Sequence, residues 1–199
     1  MSRIAVVGGT GTIGSRVVEA LDSDHEVVAV GHSSGDLQVD LASKTSIESL
    51  YGELGHVDHV VSTAGVAEFG PLEELSDNDF ETSLQNKLMG QINLVRVGAD
   101  RLDDGSFTLT SGVLAQNPIP GSAAIATVNA GLEGFARAAA LELEGRARVN
   151  VVSPGWVAET LEEMGRNPSD GVPASEVARA YVRSVEGDDS GEILQVLRD

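Results

Sequence analysis

The sequence predicts a doubly wound α/β fold, a parallel sheet covered by helices on both faces and folded as a single three-layer domain spanning residues 1–199. Three observations carry that prediction. Strand-like apolar runs alternate with helix-period segments along the whole chain, without an internal repeat or a break in composition. The strand runs are continuously apolar, as a sheet buried on both faces requires. The first strand-to-helix junction, residues 4–14, reads Ile-Ala-Val-Val-Gly-Gly-Thr-Gly-Thr-Ile-Gly, an apolar run that breaks into glycines spaced three apart.

The elements follow in order. Residues 3–7 read as the first strand, and residues 12–21 place Ile13, Val17, Val18 and Leu21 on one helical face. Strands are predicted at 25–30 and, briefly, at 35–39, then a helix at 44–54 and a strand at 57–62 that ends in Ser-Thr-Ala-Gly. One long helix is predicted from Ser76 or Asp77 to about Leu102, with Ser76 as its cap and Asp77 and Asp79 near its positive end. A strand at 105–110 precedes an Ala- and Gly-rich helix at 121–143, and a strand at 149–152 runs into Ser-Pro-Gly. The last helix is predicted at 174–185 and the last strand at 192–197.

Gly8, Gly11 and Gly14 mark the most informative junction. A tight turn there brings bare backbone against a ligand, and the following helix points its free N–H groups and positive dipole end at an anion. A strand before the turn and a second strand after the helix make a dinucleotide the first candidate ligand, rather than three glycines serving an ordinary turn.

Composition narrows the function classes. At 41% hydrophobic, 199 residues can bury one core. No run approaches the ~20 apolar residues of a membrane span, and the chain enters its first strand with no leader-like segment, which reads as a soluble, cytoplasmic protein. With no cysteine, thiolate chemistry and cysteine-zinc sites are excluded. Thirty-one acidic against 13 basic residues give a formal charge of −18, and Lys44 and Lys87 are the only lysines. No basic stripe exists to neutralise nucleic-acid phosphates. Acidity spread along the chain, with lysine scarce, suggests adaptation to a salt-rich cytoplasm where screening relieves the repulsion. His56 and His59 bracket Asp58 but lack a further ligand cluster, so no metal is expected.

Several separated motifs resemble the short-chain dehydrogenase/reductase family over nearly the whole chain. They are the glycine loop from Gly8 to Gly14, Asp40-Leu41, Ser62-Thr63-Ala64-Gly65, Thr110-Ser111-Gly112, Ala130-Gly131-Leu132-Glu133-Gly134-Phe135, Val149-Asn150-Val151-Val152-Ser153-Pro154-Gly155 and Ser190-Gly191-Glu192-Ile193-Leu194. The resemblance implies a Rossmann fold with a nicotinamide dinucleotide across the carboxyl ends of its strands. Gly8, Thr10, Gly11, Thr12, Ile13 and Gly14 would form the pyrophosphate loop, with Asp40 and Leu41 near the adenine. Ala64 and Gly65 would lie near the ribose, and Pro154 and Gly155 near the nicotinamide. An acid ending the second strand would favour NAD, but this chain reads Gly31-His32-Ser33-Ser34 there. His32 and Ser33 could contact a 2′-phosphate, which tilts the expectation to NADP over NAD.

The family's acid/base tyrosine, and the lysine four residues later that lowers its pKa, are both missing. Ile125 stands at the tyrosine position and Asn129 at the lysine position, and neither side chain can exchange a proton or stabilise a phenolate. Tyr51 and Tyr181 are too far along the chain to substitute. Ser111 matches the family's substrate-orienting serine, and Lys87 stands where a helix asparagine is expected, as a candidate replacement charge or proton donor. The chain thus resembles a short subgroup that keeps the glycine loop without the usual Tyr and Lys. A compressed segment from Trp156 to Pro173 replaces the substrate lid, with Trp156 and Met164 expected either to close an apolar pocket or to cap the core.

Two functions are expected from this pattern. One is an NAD(P)-dependent oxidoreductase acting on a small carbonyl or alcohol through a non-standard proton relay at Ser111 and Lys87. The alternative is a catalytically silent dinucleotide-binding sensor or partner-binding protein. The family resemblance also implies a homo-oligomer.

Overall fold

The structure is a computed structural model that describes residues 1–198. Seven parallel strands form one sheet in the order β3-β2-β1-β4-β5-β6-β7. They are β1 (Arg3–Val7), β2 (Glu26–Gly31), β3 (Leu37–Gln38), β4 (His59–Ser62), β5 (Gly105–Thr110), β6 (Ala147–Pro154) and β7 (Ile193–Val196). Helices α1 (Thr12–Leu21) and α7 (Ala174–Glu186) cover one face. The other face carries α2 (Lys44–Leu54), α4 (Gly90–Gly98) and α5 (Ala123–Glu142).

Each face has its own apolar core, because a strand buried on both sides sends alternate side chains to opposite layers. In β1, Ala5 and Val7 join Tyr51, Leu94 and Leu132, whereas Ile4 and Val6 join Val17, Leu21 and Tyr181. Both tyrosines have structural roles. Tyr51 donates its hydroxyl to Leu94 O, and Tyr181 Oη lies 2.6 Å from Thr110 Oγ1 inside the opposite core. Burial raises both phenolic pKa values.

The predicted order of elements holds, with corrections at particular places. The expected single helix from Ser76 to Leu102 is three pieces: α3 (Asp77–Ser83), a π-helical turn (Leu84–Met89) and α4, which ends at Gly98. Ser76 does cap it, accepting from Asp79 N while Asp79 accepts from Ser76 N. A π turn inserts one extra residue into the helix, so the side chains after it rotate relative to those before it. Here the wider turn carries Lys87 into the interior.

β6 is longer than expected at both ends: Arg148 is anchored through donors to Ser184 O and Val185 O, and Ser153 and Pro154, where Ser-Pro-Gly was expected to end the strand, still pair with β7. A short helix, α6 (Ala158–Glu163), and two 3-10 turns at Val113–Ala115 and Pro168–Asp170 were not legible as periodic segments. His56 lies 3.0 Å from Asp58 Oδ1, and His59 Nδ1 lies 2.8 Å from Ser106 Oγ at the amino ends of β4 and β5. Among the described residues no helix is long and apolar enough to cross a membrane.

Candidate functional site

The chain leaves β1 toward β2 on one side, while β4 pairs on the other, so the carboxyl ends of β1 and β4 open a crevice where the winding reverses. The glycine loop forms its floor. Gly8 has φ +86°, a conformation that L side chains rarely adopt, and its N–H donates to Val30 O at 2.7 Å. A Cβ on Gly14 would lie 1.9 Å from Gly8 O, so this glycine lets α1 seat against the loop. Gly11 caps α1 with no side-chain hydrogen bond, and the first turn holds no acidic residue. The N–H groups of the first turn and the positive helix end therefore face the crevice without an internal counter-charge.

Two clefts meet at Thr63 and Gly65, which line both. The first, about 290 Å³, runs toward β2 and β3 and is lined by Gly8, Thr10, Gly11, His32, Val39, Leu41 and Ala64 among others. The second, about 330 Å³, runs over the ends of β5 and β6 past Ile13, Lys87, Ser111, Asn129, Pro154, Gly155 and Trp156. Sequence-predicted residues from the separate motifs thus converge on one continuous groove. Thr12 begins α1, and Gly14 is buried beneath the loop instead of facing the groove.

Two further residues of the predicted set do not line either cleft. Asp40 turns its carboxylate to Ala42 N at 2.9 Å, closing a local turn, and Ser33 is exposed on the loop beyond His32. Asp36, an acid in that same loop, is turned back to Ala29 N at 2.9 Å. Trp156 lines the second cleft, but Met164 does not; it is more than half exposed, and the ring of Trp156 is covered by Arg166 at 4.9 Å.

The polar atoms of the second cleft are few. Lys87 is buried, and its Nζ donates to Ser111 O at 3.2 Å. Desolvation pushes its pKa down to about 8. Asn129, 1% exposed, donates from Nδ2 to Gly112 O at 3.4 Å, and its Oδ1 has no partner. Lys87 and Asn129 therefore hold successive carbonyls of one turn, leaving two ammonium protons and one amide acceptor unused by the protein.

Ser111 is turned otherwise than its family match suggests. Its hydroxyl donates to Glu133 Oε1 at 2.9 Å, and Gln116 Nε2 donates to the other oxygen of the same carboxylate. The backbone of Gly112 is what faces Asn129, since a Cβ there would come within 3.0 Å of Asn129 Nδ2. Sequence reasoning did not single out Glu133 or Gln116. Glu133 reads as a surface acid on a small-residue helix, and only the return of Ser111 and Gln116 from another segment gives it partners.

A buried ammonium and free helix N–H groups along one groove, with apolar side chains in both of its clefts, suit an anionic ligand long enough to span the two. A family model described as Enoyl-(Acyl carrier protein) reductase matches residues 8–197, and the chain belongs to the short-chain dehydrogenase/reductase family. The crystal structure of the protein lin1944 from Listeria innocua is 41% identical, with a TM-score of 0.94, and the match covers 98% of this chain and 100% of that one. A small-chain dehydrogenase solved in complex with NADPH is 26% identical, with a TM-score of 0.87 over 98% of this chain and 96% of that one. Hydroxynaphthalene reductase arp2 from Aspergillus fumigatus is 33% identical over 147 residues, 71% of this chain and 52% of that protein. The chain therefore spans about half the length of that curated relative.

Proposed function

We propose that the protein is an NADP(H)-dependent oxidoreductase of small carbonyls or alcohols, with Lys87 as the proton-bearing group. The observation that carries this reading is the position of Lys87. A buried ammonium stands in the cleft that the glycine loop opens into, in a site with neither tyrosine nor active-site lysine at the usual positions.

The residues present fit a dinucleotide. The pyrophosphate would meet the uncapped first turn of α1, and Val39 and Leu41 would flank the adenine arm. His32 lines the cleft where a 2′-phosphate would lie, and the nearby acids Asp36 and Asp40 turn an oxygen to backbone N–H groups and do not line it, which favours NADP over NAD. The relative solved with NADPH supports the same choice.

NADPH bound in this groove supplies the hydride equivalent. The chain's part is to bind the carbonyl against Ile125, Val113 and Trp156, exclude water and deliver a proton. Lys87 Nζ gives a proton to the oxygen as negative charge develops on it, and the neutral amine regains one from solvent. A pKa of about 8 suits that exchange near neutral pH. Asn129 holds Gly112 O through its Nδ2, and Ser111 acts through Glu133 to fix the turn whose carbonyl holds Lys87. In the same reading the chain acts as one dinucleotide-binding domain, assembled as a homo-oligomer in a salt-rich cytoplasm, a setting suited to a charge of −18.

The test is consumption of NADPH, followed by absorbance, across a panel of ketones, aldehydes and quinones. Turnover that falls at least ~100-fold in Lys87→Met while the variant still binds NADPH supports the role, by the usual worth of a general acid. Equal rates in the two proteins refute it, and wild-type binding without turnover favours the silent sensor.

A further inference from the structure

Lys87 has an electrostatic consequence that does not depend on turnover. Lys87 lines the second cleft, its Nζ reaches the carbonyl of Ser111, another lining residue, and its stem packs against Gly65, where an added Cβ would come within 2.8 Å of Lys87 Cγ. The ion pairs formed among the described residues all lie elsewhere, so no carboxylate stands within 4.0 Å of this ammonium. Its one protein contact is a neutral carbonyl. In a doubly wound fold the adenosine arm of a dinucleotide lies toward the end of the second strand. The remaining arm, with the nicotinamide, is therefore directed to the cleft that holds Lys87.

The two redox forms differ there by one charge, because the oxidised ring is a cation and the reduced ring is neutral. We infer that Lys87 makes the groove selective for the reduced dinucleotide, its uncompensated ammonium disfavouring the cationic ring. This rests on the dinucleotide reading above and adds to it the form of the cofactor that the resting site holds. Two unit charges about 10 Å apart at an effective dielectric of about 20 correspond to a preference on the order of ten-fold.

The charged groups on the neighbouring segments do not cancel it. Glu133 on α5 keeps its charge while accepting from Ser111 and Gln116, but it does not line the cleft and forms no ion pair with Lys87, and its charge is the same in the wild type and in Lys87→Met. Glu159 on α6 accepts from Ala174 N at 2.9 Å, and Glu68, on the loop after Gly65, is in none of the ion pairs among the described residues. His32 belongs to the other cleft. The pyrophosphate and the 2′-phosphate are common to both forms and drop out of their ratio of affinities.

The experiment is calorimetric titration of NADPH and NADP⁺ into the wild-type chain and into Lys87→Met, at about pH 6.5 and about pH 9.5, on either side of the lysine's titration. The wild type is expected to bind NADPH about ten-fold more tightly at the lower pH and to lose most of that preference at the higher one. Lys87→Met is expected to show little preference at either pH. The pH comparison in the wild type stands even if the variant misfolds. A ratio that is the same in both proteins, or one in the wild type that does not change with pH, overturns the inference while leaving the cofactor assignment intact. Absence of binding by either form in the wild type overturns both.

Discussion

Lys87 is a burden on the fold at the pH where it is most useful. Its folded-state pKa of about 8 lies below the free lysine's 10.5, so the unfolded chain holds this proton more tightly than the native one. Stability therefore rises with pH through the window from about 8 to 10.5, and the full cost is felt below it. Replacing the ammonium by an apolar side chain of similar length should remove that cost. Lys87→Met is expected to be more stable than wild type by about 1–3 kcal/mol at neutral pH, with the difference closing as the pH rises past the window. Denaturant unfolding at a series of pH values checks this, and a destabilised variant at neutral pH would mean that the ammonium is a net structural asset. The neighbouring residues show what a sequence conceals at this scale. Ile125 and Asn129 are legible as losses from a motif, but Glu133 gives no sign that it will be buried against a serine 22 positions away.

Among the elements, the first strand, glycine loop and α1 were readable because their information is local. The apolar run, the glycine spacing and the amphipathic face each specify one segment and agree with one another. The π turn was not readable, since a single inserted residue barely disturbs an apolar pattern with period 3.6 while changing which side chain points inward. β3 was overestimated for a related reason: only Leu37 and Gln38 pair with β2, as the preceding residues are spent on a turn whose Asp36 bonds back to Ala29. The glycines of the loop have different physical duties, and substitution separates them. Gly14→Ala forces a Cβ to within 1.9 Å of Gly8 O and should cost about 3 kcal/mol or more, with loss of dinucleotide binding. Gly11→Ala meets the same oxygen at 3.4 Å, an ordinary contact, and should cost less than about 1 kcal/mol. Thermal unfolding of the two variants distinguishes these duties; equal losses would show that the loop does not pack as described.

The whole molecule places its chemistry at one topological feature. Residues from β1, the loop after β2, the segment after β4, the π turn, β5, α5 and β6 reach a single groove because the winding reverses between β1 and β4. That convergence was legible in outline, since repeated strand-helix order fixes a parallel sheet and a parallel sheet fixes where its carboxyl ends lie. The interior of the groove was not, because the partners of Lys87, Asn129 and Ser111 come from segments distant in sequence. Calorimetric titration of the full chain with NADPH, NADP⁺, NADH and NAD⁺ addresses the groove as a unit. Saturable one-site binding, tightest for NADPH, is expected; no saturable heat with any of the four would contradict the assignment of the groove to a nicotinamide dinucleotide.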